Sequence, residues 1–142
     1  MGLAAEDAGQ VLRIMARRLR RLDLVHATFE EALLAREAVW PTALPLSGRK
    51  LAIPHADPKH VIVSTIACAT LAAPVRFREM GAPDREIAVE VVVLLALGDS
   101  HSAQRELVRL LEKCQDSAFM DRLCACTDAT GLRSVLEREV GG

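Results

Sequence analysis

The sequence predicts an α/β fold, a single-domain sandwich with a mixed central β-sheet flanked by helices on both sides. Long, almost wholly apolar runs at residues 61–72 and 87–97 are typical of strands covered on both faces. Helical apolar spacing precedes and follows these runs, so helices are available for both faces of the sheet. The chain has 142 residues, of which 51% are hydrophobic and 26% charged, so we expect one globular domain over residues 1–142.

Two helices are predicted before the sheet. Residues 6–21 carry one apolar face and acidic residues in the first turn. Thr28 and Glu31 have the spacing of a capping box, which predicts a second helix running from there to about Val39 and ending before Pro41. The apolar face of the first helix comprises Val11, Leu12, Met15, Leu19 and Leu22.

The middle of the chain is predicted to place His55 at the end of a strand. Residues 41–48 contain two prolines, a serine and a glycine and are predicted to form a loop. Residues 51–53 form a short strand. Pro54 cannot donate a ladder hydrogen bond, so the strand is predicted to end there, with His55 directly after its last residue.

The remaining elements follow from apolar runs and turn residues. We expect an interior strand, a short strand, a turn, a long strand, a Leu-rich helix after Gly98 and two short terminal helices. The interior strand is predicted at residues 61–72, the short strand at 74–77, the turn at 81–86 and the long strand at 87–97. The two terminal helices are predicted at residues 117–126 and 128–140.

Charge and composition exclude several classes of function. The net charge is -1 and aromatic residues make up 3%, which argues against a nucleic-acid surface. The N-terminus lacks a secretory pattern, and the longest apolar stretch contains Glu90 and is too short to span a bilayer, so we expect a cytoplasmic protein.

The basic run at residues 17–21 is interpreted as a solvated helix face, with a docking face for an acidic partner as the alternative. The four cysteines lack C-x-x-C spacing and are expected to be buried, reduced thiols.

His55 is the strongest candidate for chemistry among the four histidines, because a proline-fixed strand end presents it on a loop. Neutral imidazole keeps one nitrogen lone pair and can attack phosphorus. A transferred phosphoryl group needs positive charge or hydrogen-bond donors on its oxygens, and the planar fork of an arginine supplies both.

The segments LLAREAVWPTAL and LAIPHADPKHV resemble the fructose/mannitol type of sugar phosphotransferase system (PTS) IIA domains, EIIA type-2, and within it the galactitol-specific branch. Its pattern is Arg-Glu, Pro-Thr and then A-I-P-H, here Arg36, Glu37, Pro41 and Thr42, followed by residues 52–55. A looser match extends over nearly the whole chain.

The resemblance implies a phosphotransferase component with a transient phosphohistidine. His55 would be phosphorylated, through Nε2, by the histidine-containing phosphocarrier protein HPr, and Arg36 would contact the phosphoryl oxygens. The group would then pass to a cysteine of a sugar-specific IIB domain. By this resemblance no cofactor or metal is required. The apolar-run argument above predicts no direct membrane insertion.

The chain departs from the family at one place. Many members have a second histidine at the start of the helix after the long strand, where this chain has Gln104, with His101 one turn earlier. Either residue could support the phosphoryl group.

Three alternatives remain open. The protein could be a phosphorylation sensor of the nitrogen-regulation type. His55, Asp57 and His60 could ligate a metal, although H-x-D-x-x-H is not a strong signature. The domain could also be catalytically inert, with His55 in a structural role.

Overall fold

The structure, a computed structural model, describes residues 3–44 and 50–98 and seven positions beyond them (105, 108, 109, 112, 113, 116 and 118). Its helices and strands are α1 (Ala8–Arg21), α2 (Phe29–Val39), β1 (Ala43–Leu44), β2 (Leu51–Ala52), β3 (Thr65–Glu79) and β4 (Ala82–Ala96).

The four strands form a mixed sheet, as predicted. β3 and β4 are antiparallel, β2 is parallel to β4, and β1 is antiparallel to β2. β1 also pairs in parallel with the end of β3, so the order β1-β2-β4-β3 closes on itself. This confirms the α/β class with a mixed sheet. The helices predicted after Gly98 fall mostly outside the described residues.

Helix α1 begins two residues later than predicted. Asp7 is its N-cap, and the carboxylate accepts a hydrogen bond from the Gln10 N–H at 2.8 Å. The first turn therefore contains no acidic residue, contrary to the sequence prediction. The cap satisfies one of the backbone donors that every helix N-terminus leaves open.

Helix α2 ends where expected, but the predicted capping box is wrong. The Thr28 side chain makes no capping hydrogen bond, because its hydroxyl is bonded instead to Nδ1 of His60 at 2.7 Å. At the other end Trp40 has φ -123° and ψ 81°, outside the helical region, as the steric demand of the following Pro41 requires.

The strand boundaries also differ from the predictions. The segment at residues 41–48, predicted as a loop, contains β1. β3 starts at Thr65 and includes the residues predicted as a separate short strand. The turn, predicted at residues 81–86, consists of Met80 and Gly81. Gly81 has φ +78°, which glycine adopts without strain, so β4 can start at Ala82.

β3 is more exposed than the sequence suggested. Between Thr70 and Val75 it leaves its register with β4, and residues 72–74 are exposed. Leu3 fills the gap in pairing, since its N–H donates to the Thr70 carbonyl at 2.8 Å and its carbonyl accepts from Ala72 at 2.9 Å. Cys68 on β3 is half-buried, not buried as predicted, and the other three cysteines lie outside the described residues.

The core is formed by buried side chains of the two helices and of the strands. Thr42 is the one polar residue among the buried side chains of the described residues. No helix in this part of the chain is long and apolar enough to span a membrane. The largest fully buried side chains are Phe29, Phe77, Leu12, Leu33, Leu51, Leu94, Leu95 and Val11.

Candidate functional site

The backbone just beyond β2 is held from both sides. The Ile53 N–H donates to the Thr42 carbonyl at 3.2 Å, and the Leu95 N–H donates to the Pro54 carbonyl at 2.9 Å. The ladder therefore continues to Pro54, and His55 pairs with Leu95 in an isolated parallel bridge. His55 is thus fixed beside the end of β4.

The imidazole of His55 has a defined tautomer. Its Nδ1 lies 3.0 Å from the Ile53 carbonyl oxygen, and a carbonyl oxygen only accepts hydrogen bonds. Nδ1 must therefore carry the proton, which leaves the lone pair of the neutral ring on Nε2. The side chain is half-buried, so Nε2 is the atom of this ring available for nucleophilic chemistry.

Arg36 lies in the last turn of α2 and faces the same region. Its Nη1 is 3.4 Å from Oδ1 of Asp57, and its buried Nε has no hydrogen-bond partner among the described residues. An unpaired buried donor costs about 1–3 kcal/mol, so Arg36 carries hydrogen-bonding capacity that the fold leaves unused.

His55 and Arg36 line one surface depression of about 210 Å³. Trp40 and Met80 form part of its wall and are 65% and 41% exposed, unusually open for large apolar side chains. The remaining lining residues are Pro41, Thr42 and Gly81.

Glu37, the neighbour of Arg36, braces the wall of this depression. Its two carboxylate oxygens accept from the Thr42 N–H at 3.0 Å and from the Thr42 hydroxyl at 2.7 Å. Burial raises the pKa of Glu37 above its usual 4.5, and the hydrogen bonds from Thr42 and the charge of Arg78 offset only part of that rise. Glu37 therefore ties the end of α2 to the segment that pairs with Ile53.

A family model described as "Phosphoenolpyruvate-dependent sugar phosphotransferase system, EIIA 2" matches residues 1–139. The chain belongs to this EIIA 2 family.

Similar proteins agree with this assignment. The galactitol-specific EIIA component of the Escherichia coli PTS (strain K12) is 29% identical over 122 residues, which cover 86% of this chain and 81% of that one. The mannitol enzyme IIA of Escherichia coli, in a structure with phosphorylated mannitol enzyme IIB, has a TM-score of 0.75 at 20% identity, covering 97% and 92% of the two chains. Nitrogen regulatory protein IIA-Ntr from Neisseria meningitidis has a TM-score of 0.71 at 26% identity, covering 94% and 90%.

Two of the four site residues predicted from the sequence lie at the positions just described. The structure brings His55 and Arg36 to one depression, while His101 and Gln104 lie outside the described residues. The metal alternative finds no geometric counterpart, since Asp57 contacts Arg36 and His60 bonds Thr28. In the described part of the chain, no three potential metal-ligating side chains come together.

The sequence predicted a shallow, partly apolar depression around His55 but not the residues that form its apolar wall. Trp40 is the one tryptophan of the chain and stands directly before Pro41, a position that ends the helix and turns the indole outward. Met80 is carried there by the tight β3–β4 turn. The Trp-Pro pair was the sequence feature from which the exposed position of Trp40 could have been predicted.

The raised pKa of Glu37 gives a pH-dependent prediction. Because the folded protein holds this proton to higher pH than the unfolded chain, the contribution of Glu37 to the free energy of unfolding is full below pH 4.5 and is lost as pH rises through the raised pKa. Glu37→Gln stays neutral, so its stability relative to wild type should increase from pH 4.5 to 7.5 in urea unfolding. Glu31→Gln, which removes an exposed charge from the same helix, is the matched control, and a trend in Glu37→Gln no larger than in this control would contradict the prediction.

Proposed function

We propose that this protein is a cytoplasmic phosphoryl carrier of the phosphoenolpyruvate-dependent sugar phosphotransferase system. It accepts a phosphoryl group from HPr on Nε2 of His55 and passes it to a IIB domain. The observation that carries the proposal is the Nδ1 hydrogen bond to Ile53, which leaves the lone pair on Nε2 in the depression shared with Arg36.

The transfer exchanges one N–P bond for another. The lone pair of Nε2 attacks phosphorus while the N–P bond of the donor phosphohistidine breaks, and the donor imidazole keeps the electron pair. The ring of His55 becomes more positive as its N–P bond forms, so its Nδ1–H bond to the Ile53 carbonyl strengthens as transfer proceeds. No proton has to move in this step.

Arg36 would stabilise the charge on the phosphoryl oxygens. Its guanidinium has five N–H donors, and one of them contacts a described residue, Asp57. Such preorganised donors act where charge develops and need no rearrangement of water at the moment of transfer. Gln104 or His101 would supply a further donor from the segment that follows β4.

The apolar wall would receive the protein partners. HPr and the IIB domain must both bring a reacting atom to Nε2, so they would cover the same surface. Aromatic residues, tryptophan above all, are enriched among the few residues near the centre of an interface that dominate its energetics. Trp40, with Val39 and Met80 at 64% and 41% exposure, fits that role.

The nitrogen-regulation alternative retains support from the likeness to IIA-Ntr. Both functions use a phosphorylated histidine, and they differ in where the group goes. Discharge of the phosphorylated protein by a IIB domain encoded beside it identifies a transport component.

The first experiment tests His55. Intact-protein mass spectrometry after incubation with phosphoenolpyruvate, enzyme I and HPr should show one acid-labile phosphoryl group on the wild type and none on His55→Ala. His26→Ala, which removes an exposed histidine elsewhere on the surface, should label normally. Labelling of His55→Ala would refute the proposed site.

The second experiment tests Arg36. Arg36→Ala should slow single-turnover transfer from phosphorylated HPr by about 10²- to 10³-fold, the usual effect of losing one oxyanion donor. Arg36→Lys should fall between it and the wild type, because an ammonium retains the charge without the planar fork. Arg13→Ala, at an exposed arginine of α1, is the control, and an Arg36→Ala rate equal to it would remove the proposed role.

The third experiment tests the docking surface. Trp40→Ala should raise the KM for phosphorylated HPr by about tenfold or more and leave the kcat nearly unchanged, because it removes contact area without touching Nε2. Leu22→Ala is the matched control, since Leu22 is 67% exposed and belongs to neither the depression nor its rim. Equal KM values for the two variants would exclude Trp40 from the interface.

A further inference from the structure

Asp57 is the only acidic side chain that the structure pairs with Arg36 among the described residues. The Nη1–Oδ1 distance is 3.4 Å, longer than the 2.7–2.9 Å or so of a strong charge-assisted hydrogen bond. The side chains of Arg36 and Asp57 are 37% and 60% exposed. A long, solvated contact of this kind adds little stability and is readily exchanged for another partner.

The carboxylate of Asp57 makes no capping hydrogen bond to the turn that follows it. It precedes the 3₁₀ turn at Pro58–His60, a position where aspartate usually caps with its side chain. Here the side chain makes no capping bond, and the main-chain carbonyl of Asp57 accepts from the His60 N–H at 3.1 Å instead. The carboxylate is therefore available to Arg36.

The position of Asp57 is tied to that of His55. The two residues are separated by Ala56 alone, which is 7% exposed, and prolines at positions 54 and 58 restrict the backbone on either side. Arg36, which contacts Asp57, lines one depression with His55. A phosphoryl group on Nε2 would bring further negative charge to the same guanidinium.

We propose, on the basis of the function proposed above, that Asp57 is an exchangeable counter-ion of Arg36. In the unphosphorylated protein the Asp57 carboxylate pairs with the guanidinium of Arg36. The phosphoryl oxygens displace this carboxylate from Arg36 when His55 is phosphorylated. Asp57 forms no bond to phosphorus and is a positioning residue that acts through Arg36. Its charge lowers the affinity of the site for the phosphoryl group, which keeps the group transferable to the next partner.

The test is the equilibrium of phosphoryl exchange with HPr. Purified phosphorylated HPr is mixed with unphosphorylated protein, and the phosphorylated fraction of each is measured by intact mass spectrometry. Asp57→Asn should shift the equilibrium toward the phosphorylated protein by about tenfold, because the Asp57 carboxylate no longer competes with the phosphoryl oxygens for the guanidinium of Arg36. Asp57→Glu should restore the wild-type value, since it restores the charge.

Asp23→Asn is the matched control for the loss of one carboxylate. Asp23 is exposed and has φ +59°, a conformation that asparagine also tolerates. This variant should keep the wild-type equilibrium. The difference between wild type and Asp57→Asn should also shrink in 1 M salt, where the screening length falls to about 3 Å.

The outcomes separate the two proposals. Failure of the wild type to label on His55 refutes the proposed function. Normal labelling of the wild type, with Asp57→Asn equal to Asp23→Asn or shifted toward the unphosphorylated protein, refutes the counter-ion inference alone. A shift toward the phosphorylated protein that Asp57→Glu fails to reverse refutes it as well, because a change of shape rather than charge would then be responsible.

Discussion

The two-sided pairing of the backbone at Ile53 and Pro54 is the constraint on which the site depends. Thr42 holds this segment from one side and Leu95 from the other, at 3.2 and 2.9 Å. The Ile53 carbonyl, placed in this way, fixes the tautomer of His55. A main-chain ladder thus selects which nitrogen of the His55 ring keeps its lone pair.

The same constraint reaches helix α2 through Glu37. Its carboxylate binds both the N–H and the hydroxyl of Thr42, whose carbonyl accepts from Ile53. The adjacent residue, Arg36, lies in the depression with His55. The two residues of the Arg-Glu pair therefore have different roles. Glu37 connects the end of α2 to the sheet, and Arg36 lines the depression.

The sequence predicted the elements that depend on local chemistry and missed those that depend on distant partners. Pro41 ends α2, and this effect can be predicted from the residue itself. The predicted strand end at Pro54 was wrong in detail, since β2 ends at Ala52 while bridge pairing continues to His55. β1 cannot be predicted in this way, because two residues become a strand only through pairing with Leu51 and Glu79. The capping box failed for a similar reason, as His60, 32 residues away, takes the hydroxyl of Thr28.

The direction of α2 bears on how the site can treat an anion. Proteins often bind phosphate at a helix N-terminus, where free N–H groups and the dipole favour negative charge. Here the depression is lined by residues of the C-terminal end of α2, whose partial charge is negative, and the Trp40 N–H satisfies the Arg36 carbonyl at 2.6 Å. The backbone at this end of the helix therefore offers a phosphoryl group no attraction, and under the proposed function the guanidinium of Arg36 would have to supply it. Among the described residues that line the depression, Arg36 is the one cation, and its contact with the Asp57 carboxylate would suit a group that must be held briefly and then released.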